Sequence, residues 1–537
     1  MADVIVIGAG HNGLVAACYL ARAGIDVLVV EAADAIGGCT TGGAVVAGAP
    51  EHIFSPGAND IITLRASTIA ADLDLERHGF RMVDIDPAYV ALGPEGTSIG
   101  FWRDPRRTAD EIRHFSARDA AAYLELLRIA AAAAGAMVPM LTANPTRPGA
   151  ASLRRAAGAA LRHPRALAAL GPLVSASAAQ AIQERFSHPV VQSAMAMLAS
   201  FGPPITLDGT GTSLVLPALI QRFGLGRPVG GMQALPDALE RCLVEAGGGV
   251  RTSAPVERLL VDGGHVVGVA LEDGEEIVAR AVLAGCDPRT TLTELLPAGT
   301  LPANLATRAA HIPTMNAGAA HFKVDIALSG RLELSRHQAA RRDRLDLRIP
   351  GHLVGSYEQI QRAFADAAGG RLAAPMPFVG IVTSAADPSL APAGQDTLYV
   401  WAGWTPHAPH ESWDTLADRA ATELVAHAAA FYDGVEALEI GRHVEAWPQL
   451  TARTRVPDGN ILHVDGTLLR QGPLRPAAGF GGYRTPVPGL FLTGAGTHPG
   501  GSVSGIPGQL AAREVARDLE AGALPARAAR AREPVAS

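Results

Sequence analysis

Lysine is almost missing: Lys323 is the only one in 537 residues, and the remaining basic side chains are arginine. Acidic residues outnumber basic ones 52 to 45, giving a formal charge of -7, so no global positive field points to nucleic acid. Charged residues are scarce at 18% beside 48% hydrophobic, which excludes disorder and suits a well-buried globular enzyme. The four cysteines, Cys18, Cys39, Cys242 and Cys286, are scattered without C-x-x-C or metal-ligand spacing, so neither a disulfide framework nor a metal centre is expected. No run of about eighteen uncharged apolar residues is present, the nearest being residues 129–144, interrupted by Gly135 and Pro139, so no membrane span is expected. The first strand begins at residue 3, leaving no room for a leader, and a cytoplasmic location is expected. The chain is too long for one ordinary core, and two domains are expected.

Residues 3–31 are the most organised stretch. Val4–Ile7 is a short β-branched run that stops at Gly8, as a buried parallel strand reads. It enters GAGHNG, which places Gly8, Gly10 and Gly13 on G-x-G-x-x-G spacing for a tight turn, close pyrophosphate approach and close helix packing. Residues 12–23 then show helical spacing, with Gly24 as the stop and the helix start facing phosphate. A second strand, residues 26–30, ends at Glu31, whose carboxylate suits ribose hydroxyls and repels a 2′-phosphate. Strand, turn, helix, strand and acid in that order predict a dinucleotide site in an α/β, Rossmann-like domain.

Gly37 and Gly38 follow the acid by six and seven residues. Here the chain resembles the large FAD-dependent family that includes amine oxidases and phytoene desaturases, whose first segment ends in an acid followed by a Gly-Gly pair. The resemblance implies FAD and a GR2-type Rossmann-like cofactor domain. It recurs in PVGGM at residues 228–232, with the helix and strands that follow to residue 288, and in GLFLTGAGTHPGG at residues 489–501. PVGGM and HPGG together resemble the phytoene dehydrogenase-related branch that includes the pyridine nucleotide-disulphide oxidoreductase domain-containing type. The implied FAD contacts are Gly8, Gly10, Asn12, Gly13, Glu31, Ala32, Gly37, Gly38, Gly494, Gly496 and Ser504, with Val256 meeting the adenine through its backbone. The implied division is a discontinuous FAD domain at 1–75, 225–290 and 445–520, an α+β substrate domain with a helical cap at 76–224 and 291–444, and a frayed tail at 521–537.

In the final segment a helix beginning near residue 505, with Pro507 in its first turn, would direct N–H groups toward the flavin and stabilise negative charge on it. His498 lies next to it, as a catalytic candidate or a hydrogen-bonding support. Lys323 sits on an alternating stretch, residues 317–328; amine oxidases carry a lysine on a comparable strand that holds a water at flavin N5, and a solvent-facing strand lysine is the other reading. His52 and Ser55 fall where the resembled family passes the flavin. Cys39 adjoins the Gly-Gly pair but has no visible cation to activate it. Trp401, Trp404, His407, His410 and Trp413 form an aromatic patch, read as packing or as a pocket wall.

Residues 109–201 are alanine-rich and helical, with Pro139, Pro145, Pro148, Pro164 and Pro172 expected to divide them. No acid occurs between Glu125 and Glu184, while Arg128, Arg147, Arg154, Arg155, Arg162 and Arg165 do. This cationic cap is either a solvated lid or a peripheral contact with an anionic membrane surface. The resemblance implies hydride removal from a C–H bond of a largely apolar small molecule, with the flavin reoxidised by oxygen or a quinone. A reduced-flavin isomerase or saturase, and a non-catalytic flavoprotein that docks partners, remain alternatives; neither substrate nor oligomeric state is specified.

Overall fold

The computed structural model describes residues 2–524. Its cofactor half is built on a parallel sheet in the order Leu490–Leu492, Ala281–Ala284, Val4–Ile7, Val27–Val30, Gly249–Arg251. Both faces are covered, which is why these strands read as continuous apolar runs rather than alternating ones. Val4 and Val6 pack on one side with helices His11–Arg22, Ala234–Glu245 and Ile506–Glu520. Ile5 and Ile7 pack on the other against the antiparallel strands Val256–Asp262 and His265–Leu271.

Residues 276–284, within the block of strands before residue 288, form two strands. Glu276–Val278 extends the antiparallel sheet, the chain turns at Ala279 and Arg280, and Ala281–Ala284 enters the parallel sheet beside Val4–Ile7. Apolar runs on both sides of Arg280 disguised a change of partner. Leu524, placed in the expected tail, is buried in the cofactor-half core; the rest of that tail, 525–537, lies outside the described residues.

The substrate half is a seven-stranded mixed sheet in the order Glu439–Ala446, Ala319–Leu328, Asp396–Pro406, Phe378–Val382, Gly351–Val354, Tyr89–Leu92, Ser98–Phe101. Register gives it two chemically distinct faces, because paired residues project to the same side and successive ones to opposite sides. Phe322, Val324, Ile326, Val400 and Phe378 belong to the face packed on helices Tyr357–Ala368 and Trp413–Ala428. Lys323, Asp325, Tyr399, Trp401 and Glu445 share the opposite face, since Lys323 pairs with Trp401 and Glu445, and Asp325 with Tyr399.

The cap departs from expectation at Pro139. Helix Ala117–Leu141 runs 25 residues with Pro139 inside it. Pro139 occupies the last turn, where it removes one helical hydrogen bond near the frayed end. The helix is therefore long and apolar enough, by length and composition, to cross a membrane, and 39% of its most apolar window is buried. Tyr123, Leu127, Ala130 and Ala134 pack into the substrate-half core. Pro145 and Pro148 lie in the loop before helix Ala150–Arg162, Pro164 opens helix Pro164–Ala168, and Pro172 lies within the short helix Leu170–Ser175.

Candidate active site

The glycine turn has the geometry its spacing requires. Gly8 takes φ +95°, where a side chain would be strained. A Cβ on Gly13 would overlap the Gly8 carbonyl oxygen, so this glycine serves helix-to-strand packing, whereas a Cβ on Gly10 would meet nothing and would project into the open cradle. Helix His11–Arg22 starts at Gly10 with no side-chain cap and no acid in its first turn, leaving its amides and positive dipole end free for an anion. The Asn12 Oδ1 is buried with no partner. The vacant space at Gly10 and the free helix amides fit a diphosphate-bearing cofactor, whereas the orphaned Asn12 oxygen, an acceptor, calls for a donor such as a hydroxyl.

Glu31 closes the turn from the far side. One carboxylate oxygen accepts from the Ala9 amide at 2.7 Å and the other from the Ala33 amide at 2.9 Å, across the peptide of Ala32. Its remaining lone pairs suit ribose hydroxyls. The Ala254 amide donates to the Glu31 carbonyl, and Val256 begins its strand two residues later, so the second segment is tied to the first beside Glu31. Gly37 at φ +118° and Gly38 at φ +56° bend the chain back under the turn, and the Gly37 amide donates to the Ala9 carbonyl.

The third segment completes the cradle. Gly494 at φ +88° approaches Gly285, and a Cβ on Gly496 would overlap Pro288. Helix Ile506–Glu520 lies against the first helix so closely that a Cβ on Gly508 would overlap the Asn12 carbonyl oxygen. The Ser504 hydroxyl accepts from the Ile506 amide at 3.3 Å at the start of this helix. His498 is buried with Nε2 3.2 Å from the Met140 carbonyl, and burial lowers its pKa. It joins the cofactor turn to the end of the long cap helix.

Lys323 is fully buried rather than facing solvent. Its ammonium donates to the Ser55 carbonyl at 2.6 Å, lies 2.9 Å from Asp325, and stands 4.2 Å from the Tyr399 ring centroid. Burial lowers the lysine pKa and raises that of Asp325, each partner opposing the shift in the other. Ser55 also accepts from the Met232 amide through its hydroxyl, while His52 bonds Leu328, so this loop is a strut between the halves. Trp401 donates to His321 Nδ1 at 3.0 Å and stacks on Phe201; Trp404 and Trp413 donate to the backbone carbonyls of Ser200 and Pro406. His407 stacks on Trp447, and no cluster of metal ligands occurs among the described residues.

Several residues at the site carried no sequence signal. Arg453 forks onto Glu445 at 2.7 and 3.0 Å and donates to the Gly38 carbonyl and the Thr41 hydroxyl, connecting the Gly-Gly turn to the substrate sheet. Burial works to raise the Glu445 pKa, but His321 and Arg453 together bring it down to about 2. Arg453 is also the cation near Cys39 that the sequence hid; burial dominates there and raises the thiol pKa, so the thiol is not activated. His463, at φ +59°, lies beside Gly494 and Gly496, and burial brings its pKa down to about 4. Asp287 and Arg475 complete the buried polar ring around the third segment. Only the folded chain brings these partners together, Arg453 and Gly38 across more than 400 residues, and no motif spacing announces them.

Between the cap and the third segment lies a cleft of about 190 Å³, lined by Ile62, Val138, Leu141, Leu219, Phe223 and Ile506, with Ser502 and Ser504 at its polar edge. Its walls come from both halves of the chain.

The profile of the family described as flavin containing amine oxidoreductase matches residues 173–519, and that of the NAD(P)-binding Rossmann-like domain matches residues 6–73. The chain is 31% identical to mouse pyridine nucleotide-disulfide oxidoreductase domain-containing protein 2, over 96% of this chain and 94% of that protein. It is 27% identical to the all-trans-zeta-carotene desaturase of Myxococcus xanthus, over 97% of this chain and 94% of that one. In fold it superimposes on cyclohexylamine oxidase from Brevibacterium oxydans with a TM-score of 0.55 at 18% identity, covering 97% of this chain and 99% of that one. A glycine cradle with a free helix start, an acid closing the turn behind it and a match over most of its length together place this chain in the flavin-containing amine oxidoreductase family, as an FAD-dependent oxidoreductase.

Proposed function

We propose that the enzyme removes hydride from a C–H bond of an apolar or amphipathic small molecule, a dehydrogenation or desaturation, with oxygen or a quinone as the final electron acceptor. The cleft between cap and cofactor turn carries this reading: its wall is aliphatic and aromatic, with two serine hydroxyls at one edge. Bound FAD supplies a two-electron acceptor for hydride. The chain's own residues bind, orient and exclude water. Glu31 and the amides after Gly10 hold the two ends of the adenosine diphosphate. Ile62, Leu141 and Phe223 dehydrate the substrate and position its C–H bond. Lys323 is held by Asp325 and Ser55, so its role in this reading is to fix the loop at residues 52–60 against the substrate sheet. The desaturase relative supports carbon rather than amine oxidation.

The cap adds a route of supply. Helix Ala150–Arg162 exposes Leu161 at 81% and Leu153 at 48% among Arg154, Arg155 and Arg162, with Arg165 just beyond. Apolar side chains ringed by arginine suit an anionic lipid surface, each arginine contributing about 1 kcal/mol there. In this reading the cap rests on the membrane and an apolar substrate enters the cleft from it. Flotation with phosphatidylserine vesicles tests the contact: binding that weakens with salt and is lost in Leu161→Asp supports it, and no binding at low salt removes it.

The reaction is tested by anaerobic mixing of FAD-loaded enzyme with a panel of terpenoid and polyene substrates alongside primary amines. Flavin bleaching with an apolar hydrocarbon and none with amines is the expected result. Bleaching with amines alone would make it an amine oxidase, and turnover only after prereduction would make it an isomerase or saturase.

A further inference from the structure

Arg475 is a buried cation with no carboxylate in contact. It is 2% exposed and, among the described residues, makes no salt bridge. Its guanidinium instead donates to main-chain carbonyls of separate segments: Leu462 at 2.8 Å, Val464 at 3.1 Å and Ala495 at 2.8 Å through one nitrogen, and Arg470 at 3.2 Å through another. The third nitrogen, Nε, is buried with no partner. The guanidinium carbon lies 3.7 Å from where a Cβ on Gly500 would sit, against the turn that leads into helix Ile506–Glu520. Burial brings its pKa down to about 10, which leaves it charged at neutral pH. Asp465 and Asp287 act on it only at longer range.

An ion placed this way costs several kcal/mol unless negative charge arrives beside it. Carbonyl dipoles offset part of that cost and the orphaned Nε–H marks what is missing. The neighbouring groups supply it only in part: the buried carboxylates of Asp465 and Asp287 attract Arg475 without touching it, while burial, to which its field adds, favours neutral His463 and His498. The turn that Arg475 holds leads into helix Ile506–Glu520, whose start the sequence directs toward the flavin.

We propose that Arg475 is the fixed positive charge that stabilises the negatively charged pyrimidine edge of reduced FAD, and so sets the reduction potential of the enzyme. The inference rests on the FAD reading and assigns to one side chain a task that the helix dipole, worth about half a charge, performs only in part. Its field acts through the low-dielectric turn, where a full charge is felt strongly.

Sulfite is the probe. Its lone pair forms a bond to flavin N5, and the displaced electron pair leaves negative charge on the pyrimidine edge. FAD content is measured first for each protein, so that loss of cofactor is separated from loss of the charge effect. With FAD bound stoichiometrically, Arg475→Gln is expected to bind sulfite at least tenfold more weakly, equivalent to a potential about 30 mV lower for a two-electron couple. Arg475→Lys keeps the charge at neutral pH; being buried, the lysine loses its proton as pH rises, so its sulfite affinity relative to wild type should fall with pH. This second variant decides the matter if the glutamine protein does not fold. Unchanged sulfite affinity in flavin-loaded Arg475→Gln, or an Arg475→Lys profile parallel to wild type, overturns the proposal. Loss of FAD affinity at unchanged potential also overturns it and makes Arg475 a diphosphate anchor.

Discussion

Asp287 sits where the second FAD segment leaves the parallel sheet, and its burial carries a cost. One carboxylate oxygen caps the following turn through the Thr290 amide at 3.0 Å, while the other is buried without a partner. Burial, opposed by that cap and by Arg289, pushes its pKa from 3.8 up to about 6. The folded state therefore holds a proton that the unfolded chain releases, and stability falls as pH rises from about 4 to about 6, by about 3 kcal/mol. Asparagine keeps the cap without the charge. Urea melts of the apoprotein should show Asp287→Asn more stable than wild type at pH 7 and equal to it near pH 4. The Lys323–Asp325 pair makes a sharper case. Lys323→Met alone strands a buried carboxylate and should cost about 3–5 kcal/mol, whereas Lys323→Met with Asp325→Leu should recover most of it. A double variant that folds and still bleaches with substrate assigns Lys323 to structure. One that folds, holds FAD and never bleaches would return it to catalysis. The glycine turn and the position of Glu31 behind it were legible in the sequence because their geometry is local: positive φ and a fixed distance from turn to acid. Arg453, His463 and Arg475 were not, because their partners, whether eight residues off or, for Gly38 and Thr41, more than 400, follow from chain folding and no motif spacing.

At the scale of elements, the sequence was clearest where one period held throughout. The first strand, the first helix and the closing helix were placed within about two residues by apolar runs and Gly or Pro boundaries. Reading failed where tertiary packing overrode a local signal: Pro139 sits within helix Ala117–Leu141 because that helix is held by the core, and residues 276–284 divide between two sheets. Helix contact also makes a demand that the glycine motif did not announce. Gly508 lets the closing helix pack on the first one beside Asn12, on the element whose free amides face the diphosphate. Gly508→Ala should push these helices apart, cost about 1–3 kcal/mol or more, and weaken FAD binding more than an alanine elsewhere on that helix. Thermal melts with and without added FAD read both effects.

At the scale of the whole molecule, the two halves are joined around the glycine cradle. Arg453 links the Gly-Gly turn to the substrate sheet, His498 links the closing turn to the cap, and Ser55 receives Lys323 from the sheet. The α/β architecture with a helical cap was legible in the order of the three separated segments, whereas the two-faced floor was not, because register between strands cannot be read from one strand alone. Convergence of those segments on a single FAD is the claim on which the rest depends. Denaturing the purified protein and quantifying the released flavin tests it most directly. One FAD per chain is the predicted result; protein that releases none, and takes up none when incubated with FAD, would contradict it.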